Sequence, residues 1–198
     1  MNRPLILGEA PNRKVLRGAV LPAAGAVLLG VCLITLSAKI QVPFWPTPMT
    51  LHTLSVMAIA VAAGPRLATA TLFAYLAAGA AGLPVFSGAP ERGIGLAYMA
   101  GPTGGYLAGY LSASWITGTL AQGRGSVGRV GAMLAGLAAV YALGLAWLAL
   151  FVPAGRLLDL GFTPFILGDL TKIAVVAAGA ALLPTWLLPG CHREEANR

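Results

Sequence analysis

Charge is scarce in this chain. Of its 198 residues only 10% are Asp, Glu, Lys or Arg, and just six of those are acids. Soluble domains carry about a quarter charged residues, so too few ions are present to cover a globular surface, and a water-soluble fold is excluded. Cysteine is equally sparse. Cys32 falls in an apolar run and Cys191 in a polar tail, which provides no disulfide framework. Only two histidines are present, His52 has no second His or Cys at ligand spacing, and no metal site is expected. The phosphate-cradling Gly-x-x-x-x-Gly-Lys-Ser/Thr sequence is missing, as are Gly-x-Ser-x-Gly and His-Glu-x-x-His. ATP binding through such a loop and two common hydrolytic chemistries go with them; no catalytic residue and no cofactor are expected. Glycine is plentiful, 26 residues, but without the three-residue period of collagen.

What is present in excess is apolar. Hydrophobic residues make up 58% of the chain and the mean hydropathy is +0.81, which also excludes disorder, since disordered chains are poor in apolar residues. The apolar residues come in runs. Residues 18–38 carry no formal charge over 21 positions, the length that about 20 apolar residues need to cross hydrocarbon. A signal peptide, with an apolar region of about 7 to 15 residues, would be shorter. Three prolines between positions 43 and 48 stop the helix and predict an interfacial loop with Trp45 at headgroup level. Runs over 50–63 and 67–81 flank Gly64-Pro65-Arg66. Each is short, so a re-entrant hairpin competes with two crossings; a lone guanidinium at mid-membrane would cost at least ~2.5 kcal/mol, which favours the crossings. Residues 82–101 are rich in Gly and Pro and read as irregular. Further helices are expected from Pro102 to Gln122, over 130–151, and from Thr163-Pro164 to about Leu188, with a polar connection over 153–161.

The expectation is therefore an all-α integral membrane protein with six transmembrane helices: a cytoplasmic segment 1–17, a membrane domain 18–188 and a cytoplasmic tail 189–198. With the N-terminus inside, nine Lys and Arg lie on the inner side and three on the outer, and Lys172 lies within a span. That asymmetry places both termini in the cytoplasm of a bacterial plasma membrane, with lipid as the surroundings. The net charge of +7 does not signal nucleic acid, because the cations stand singly at the ends of apolar runs and form no aromatic-bordered stripe.

Within the last span, Asp169 and Lys172 stand three apart, on one helical face. An ionisable group there costs ~2.5 to 3.5 kcal/mol and normally faces the bundle interior or a cavity. A purely structural ion pair is one reading. The other is a binding site, because Lys39, Gln41, Thr50, His52, Glu91, Arg92, Tyr98, Thr103 and Tyr106 all fall toward the same, outer side. An apolar cavity with a few placed polar groups is the usual form of a small-molecule site. His52 by itself reads as a helix-end residue bonded locally. Gly101, Gly105 and Gly109, spaced by four, read as a helix-packing face.

Five motifs in order then carry a resemblance: Pro48-Met-Thr50-Leu, Gly64-Pro65-Arg66, Gly82-Leu-Pro-Val-Phe86, Gly101-Pro-Thr-Gly-Gly-Tyr106 and Gly168-Asp169-x-x-Lys172. Over residues 39–186 the chain resembles the BioY family, the biotin-specific substrate-binding (S) components of energy-coupling factor (ECF) transporters. The resemblance implies an S-component bundle with lid loops on the outer face and biotin as ligand. It implies a transmembrane coupling subunit and two ATPase subunits as partners, and no catalysis by the chain itself. It assigns substrate contacts to Asp169 (ureido N–H groups), Lys172 (valerate carboxylate), Tyr98, Arg92, Phe86, Gln41 and Thr50, and partner contact to Ala19 and Ala23. The chain departs from the family pattern at His52, where many members carry Gln, and in Ala89-Pro-Glu-Arg92, where the lid is less glycine-rich. An S component for another vitamin, or a membrane enzyme using Asp169 as base, are the alternatives.

Overall fold

In the computed structural model of this chain, residues 13–43, 49–91 and 93–182 are described, with side chains from residue 23 to 181 of these. Helix α1 spans Arg13–Lys39, a short antiparallel pair joins β1 (Gln41–Val42) to β2 (Met49–Thr50), and α2 spans His52–Ala80. Then follow α3 (Gly95–Ala100), α4 (Gly104–Ala121), α5 (Ser126–Leu148), a 3₁₀ turn at Ala154–Arg156, α6 (Leu157–Gly161) and α7 (Thr163–Leu182). The helix-forming Arg-Lys-Val-Leu sequence starts α1 five residues before the apolar run does. The stretch 82–101, expected to be irregular, contains α3, and the polar connection expected over 153–161 contains the 3₁₀ turn and α6. Trp45 and Arg92, and the proposed tail 189–198, lie outside the described residues.

Gly64 decides the shape of α2. It stands at φ 75°, ψ 176°, in the middle of the helix and directly before Pro65. A side chain would make that positive φ costly, and proline cannot donate the bond that would carry the helix onward. The chain folds back there. Gly118 of α4 meets Pro65. One turn along, Ser114 Oγ donates to Thr69 Oγ1 at 3.3 Å; a turn further, the hydroxyls of Tyr110 and Thr53 lie 2.9 Å apart. Positions on both sides of Gly64 thus climb the same way along α4. At the far end, the His52 and Tyr75 rings meet edge to face at 5.4 Å. Residues 52–63 and 65–80 are therefore two antiparallel arms, and with α1, α4, α5 and α7 they form a bundle of six rods.

Small residues hold the rods close. A Cβ on Gly109 would come within 2.7 Å of Val140 Cα, and one on Gly105 would collide with Trp147. Gly101 belongs to no such face: it caps α3, and its carbonyl accepts a 2.9 Å bond from Trp147 Nε1. Two apolar clusters result. One joins the first arm of α2 to α4, α5 and α7 around Met57, Met133 and Leu137; the other joins α1, α2 and α3 around Ile34, Leu72 and Phe86. Tyr110 packs against both clusters and marks their boundary.

Candidate binding cavity

Where the two clusters part, at the end of the bundle away from Gly64, they leave a cavity of about 340 Å³. Small-molecule sites run about 300–1,000 Å³. Seven aromatic or imidazole rings and the α7 ion pair face it: His52 and Tyr75 from α2, Tyr98 from α3, Tyr106 and Tyr110 from α4, Tyr141 from α5 and Phe165 from α7. Gln41, Thr50, Ser87 and Thr103 add uncharged polar groups from the connecting segments. Helices thus provide the apolar and charged walls, while the β pair and loops provide the rim.

Asp169 and Lys172 are 6% and 7% exposed, and Lys172 Nζ donates to Asp169 Oδ1 at 2.9 Å. The second carboxylate oxygen, Oδ2, accepts a 2.7 Å bond from the Tyr141 hydroxyl. Burial of an isolated charge would be prohibitive, and pairing plus this added hydrogen bond makes the site tolerable. The group is not saturated. Each carboxylate oxygen keeps a lone pair, and the ammonium has two further protons to donate. Sequence reasoning misses Tyr141, because a tyrosine in an apolar run carries no mark of which wall it faces.

His52 is the second residue whose place the sequence conceals. A locally bonded helix-end side chain is the expectation, yet its Nε2 is buried without a hydrogen-bond partner among the described residues. The ring is instead stacked on Tyr110 at 4.5 Å and 11°. Leaving a buried polar atom unpaired costs ~1–3 kcal/mol, so aromatic packing prevails here over a hydrogen bond.

The remaining expected residues separate by place. Gln41, Thr50 and Tyr98 line the cavity, whereas Phe86 does not. Phe86 is fully buried behind the wall, stacked on Tyr98 at 4.8 Å and edge-on to Tyr75 at 5.5 Å. It sets the position of two lining rings. Lys39 is turned away from the cavity and donates to the Ala89 carbonyl at 2.5 Å. With Tyr75 donating to Val85 and Tyr98 to Ser87, alternate carbonyls of the 82–91 loop are pinned by three separate elements. Glu91 is exposed, and Ala23 is exposed on α1 beside an apolar face that includes Leu29 and Leu36. Ala19 lies in α1, in the part whose side chains are outside the description.

A helical bundle with a polar-rimmed cavity at one end and an acid–base pair in its wall is the architecture of a membrane solute-binding protein. The family model described as "BioY family" matches residues 14–187. The chain belongs to the BioY family. It is 38% identical to the probable biotin transporter BioY of Pyrococcus horikoshii, over 75% of this chain and 87% of that one. It is 37% identical to the biotin transporter BioY of Thermotoga maritima, over 73% and 85%. A solved S-component for biotin from an ECF-type ABC transporter has the same fold, with TM-score 0.69 and 24% identity over 88% of this chain and 93% of that one.

Proposed function

We propose that this protein is the membrane-embedded biotin-binding component of an uptake transporter and not an enzyme. The observation that carries the reading is the buried Asp169–Lys172 pair in the wall of a ligand-sized cavity, with hydrogen-bonding capacity still unused. The spacing of the pair supports a pose other than the one the resemblance implies. At 2.9 Å the two charges are too close to hold opposite ends of an extended molecule such as biotin. One end must meet both. A ureido group suits them: its N–H groups donate to the Asp169 carboxylate while its carbonyl accepts from Lys172. The valerate carboxylate would be repelled by Asp169 there, and goes instead to the rim, where Gln41, Thr50, Ser87 and Thr103 provide polar atoms. Tyr98, Tyr106 and Tyr110 enclose the apolar ring system between. Arg92, expected on the same lid, remains a proposed contact.

Three helical segments, His52–Ala80, Ser126–Leu148 and Ala154–Ala181, are long and apolar enough to cross a membrane. Since the first folds back at Gly64, we read it as two crossings, and with α1 and α4 the total is six. Both termini then lie on one side, the cytoplasmic side by the distribution of basic residues. The segment 1–17, the membrane domain 18–188 and the tail 189–198 follow from that reading. The chain carries no nucleotide-binding motif, so uphill movement would depend on a coupling subunit and two ATPases. Ala19 and Ala23 on α1 are the proposed contacts for the coupling subunit.

Equilibrium binding of biotin to the purified protein tests the function; affinity tighter than micromolar is expected, and absence of binding overturns it. Comparing biotin with its carboxamide tests the pose. Lys172→Met should weaken both ligands equally if the ureido end meets the pair. Selective loss of the acid would return Lys172 to the carboxylate.

A further inference from the structure

A second concavity lies at the opposite end of the bundle, beside the Gly64 fold-back. This cleft of about 410 Å³ is lined by Ala63, Pro65, Arg66, Trp115 and Gln122. The sole ion pair among the described residues is Asp169–Lys172, so no described carboxylate compensates the Arg66 charge. Arg66 is also some nine residues, or about 14 Å at 1.5 Å per residue, from Tyr75 at the biotin cavity, and takes no part in that site.

The surroundings of the cleft say what kind of molecule would fill it. Arg66, Ala70, Phe73 and Ala77 are exposed in one stripe of α2, and Trp115, Thr119 and Gln122 in one stripe at the end of α4. The two helices are held together between those stripes by Ser114 and Thr69 and by Gly118 against Pro65. A shallow furrow therefore leads from the cationic end toward Phe73, 66% exposed, past Trp115, 51% exposed. The small side chain of Ala70 keeps its floor low between Arg66 and Phe73. A guanidinium fork recognises phosphate oxygens bidentately, a carboxamide adds a further donor, and an indole beside them is typical of headgroup depth. A soluble anion would use the cation but leave the apolar furrow bare.

We propose that this cleft is a binding site for the phosphodiester of an anionic membrane lipid. Arg66 and Gln122 hold the phosphate, and an acyl chain lies along Trp115 and Phe73. The proposal is independent of biotin recognition.

Native mass spectrometry of the full chain, presented with equal phosphatidylglycerol and phosphatidylcholine, tests it. The protein should retain phosphatidylglycerol preferentially, and Arg66→Gln should reduce that preference roughly tenfold, the usual effect of losing a charged hydrogen bond. Arg66→Lys, which keeps the charge but not the fork, should give an intermediate loss and serves if the glutamine variant does not fold. Equal lipid retention by the parent and both variants overturns the site. Displacement of phosphatidylglycerol by millimolar inorganic phosphate would make it a site for free phosphate and overturn the lipid assignment. Unchanged lipid retention together with loss of a co-purifying protein would make Arg66 a protein-docking residue, which also overturns it.

Discussion

The two ends of this bundle are built from the same rods by opposite means. Around Gly64 the helices touch through backbone: Gly118 lies on Pro65, and Gly136 faces Thr117, whose hydroxyl donates to the Ala132 carbonyl at 3.3 Å. At the other end α4 and α5 still meet closely at Gly105 and Gly109, but Tyr75, Tyr98, Tyr106, Tyr110 and Tyr141 stand around the cavity. Small side chains let the backbones they join approach closely. Rings hold them apart and cannot fill all the space between. One end is thus closed between its helices and open only on its outer surface, the other open between them, and the contrast can be tested by substitutions that should act on one end only.

The largest effect is expected at the open end. Lys172→Met leaves a buried carboxylate with Tyr141 as its only partner among the described residues, which should cost ~3–5 kcal/mol of stability and abolish tight ligand binding. The double variant Asp169→Leu with Lys172→Met should recover most of the thermal stability but none of the binding. Thermal unfolding alongside a binding isotherm separates the two effects, and recovered binding would move the site elsewhere. Next in size is the closed end. A Cβ on Gly118 would come within 2.6 Å of Pro65 Cα, so Gly118→Ala should cost ~1–3 kcal/mol while the folded fraction binds ligand with unchanged affinity. An affinity change as large as the stability change would dissolve the distinction between the ends.

Two further substitutions sharpen the account of the cavity itself. Tyr141→Phe removes one hydrogen bond to a charged group, about 1.5–3 kcal/mol, and should weaken biotin roughly tenfold with the backbone unmoved. The least effect on stability is expected of His52→Phe. It keeps the stack on Tyr110 and removes the unpartnered Nε2, so the ligand-free protein should melt within about 1 kcal/mol of the parent or slightly higher. A pronounced loss of stability would mean that Nε2 has a partner after all.

Much of this is legible in the chain, for reasons that differ from element to element. Rod positions follow approximately from the apolar runs, since a crossing needs about 20 mostly apolar residues. Gly64-Pro65 is readable as a break because one residue suits a positive φ and the next lacks a donor. Asp169 and Lys172 stand out because ions are rare in apolar runs. Tyr141 and His52 do not. Nothing in the local sequence of α5 distinguishes a tyrosine bonded to a buried carboxylate from one in a packed core. The short α3 and the strand pair at Gln41–Thr50 are illegible too, being too short to impose a period on the pattern.

By itself the sequence determined that the chain is helical, that it is suited to a membrane, where it turns, and that one acid and one base share a helical face. These are consequences of solvation and backbone chemistry, which act on each segment separately. Only the tertiary structure decided that Asp169 shares its carboxylate between Lys172 and a tyrosine from another helix, and that Phe86 supports the cavity instead of lining it. Those depend on the distances between rods, and such distances come from the packing of side chains far apart in the chain.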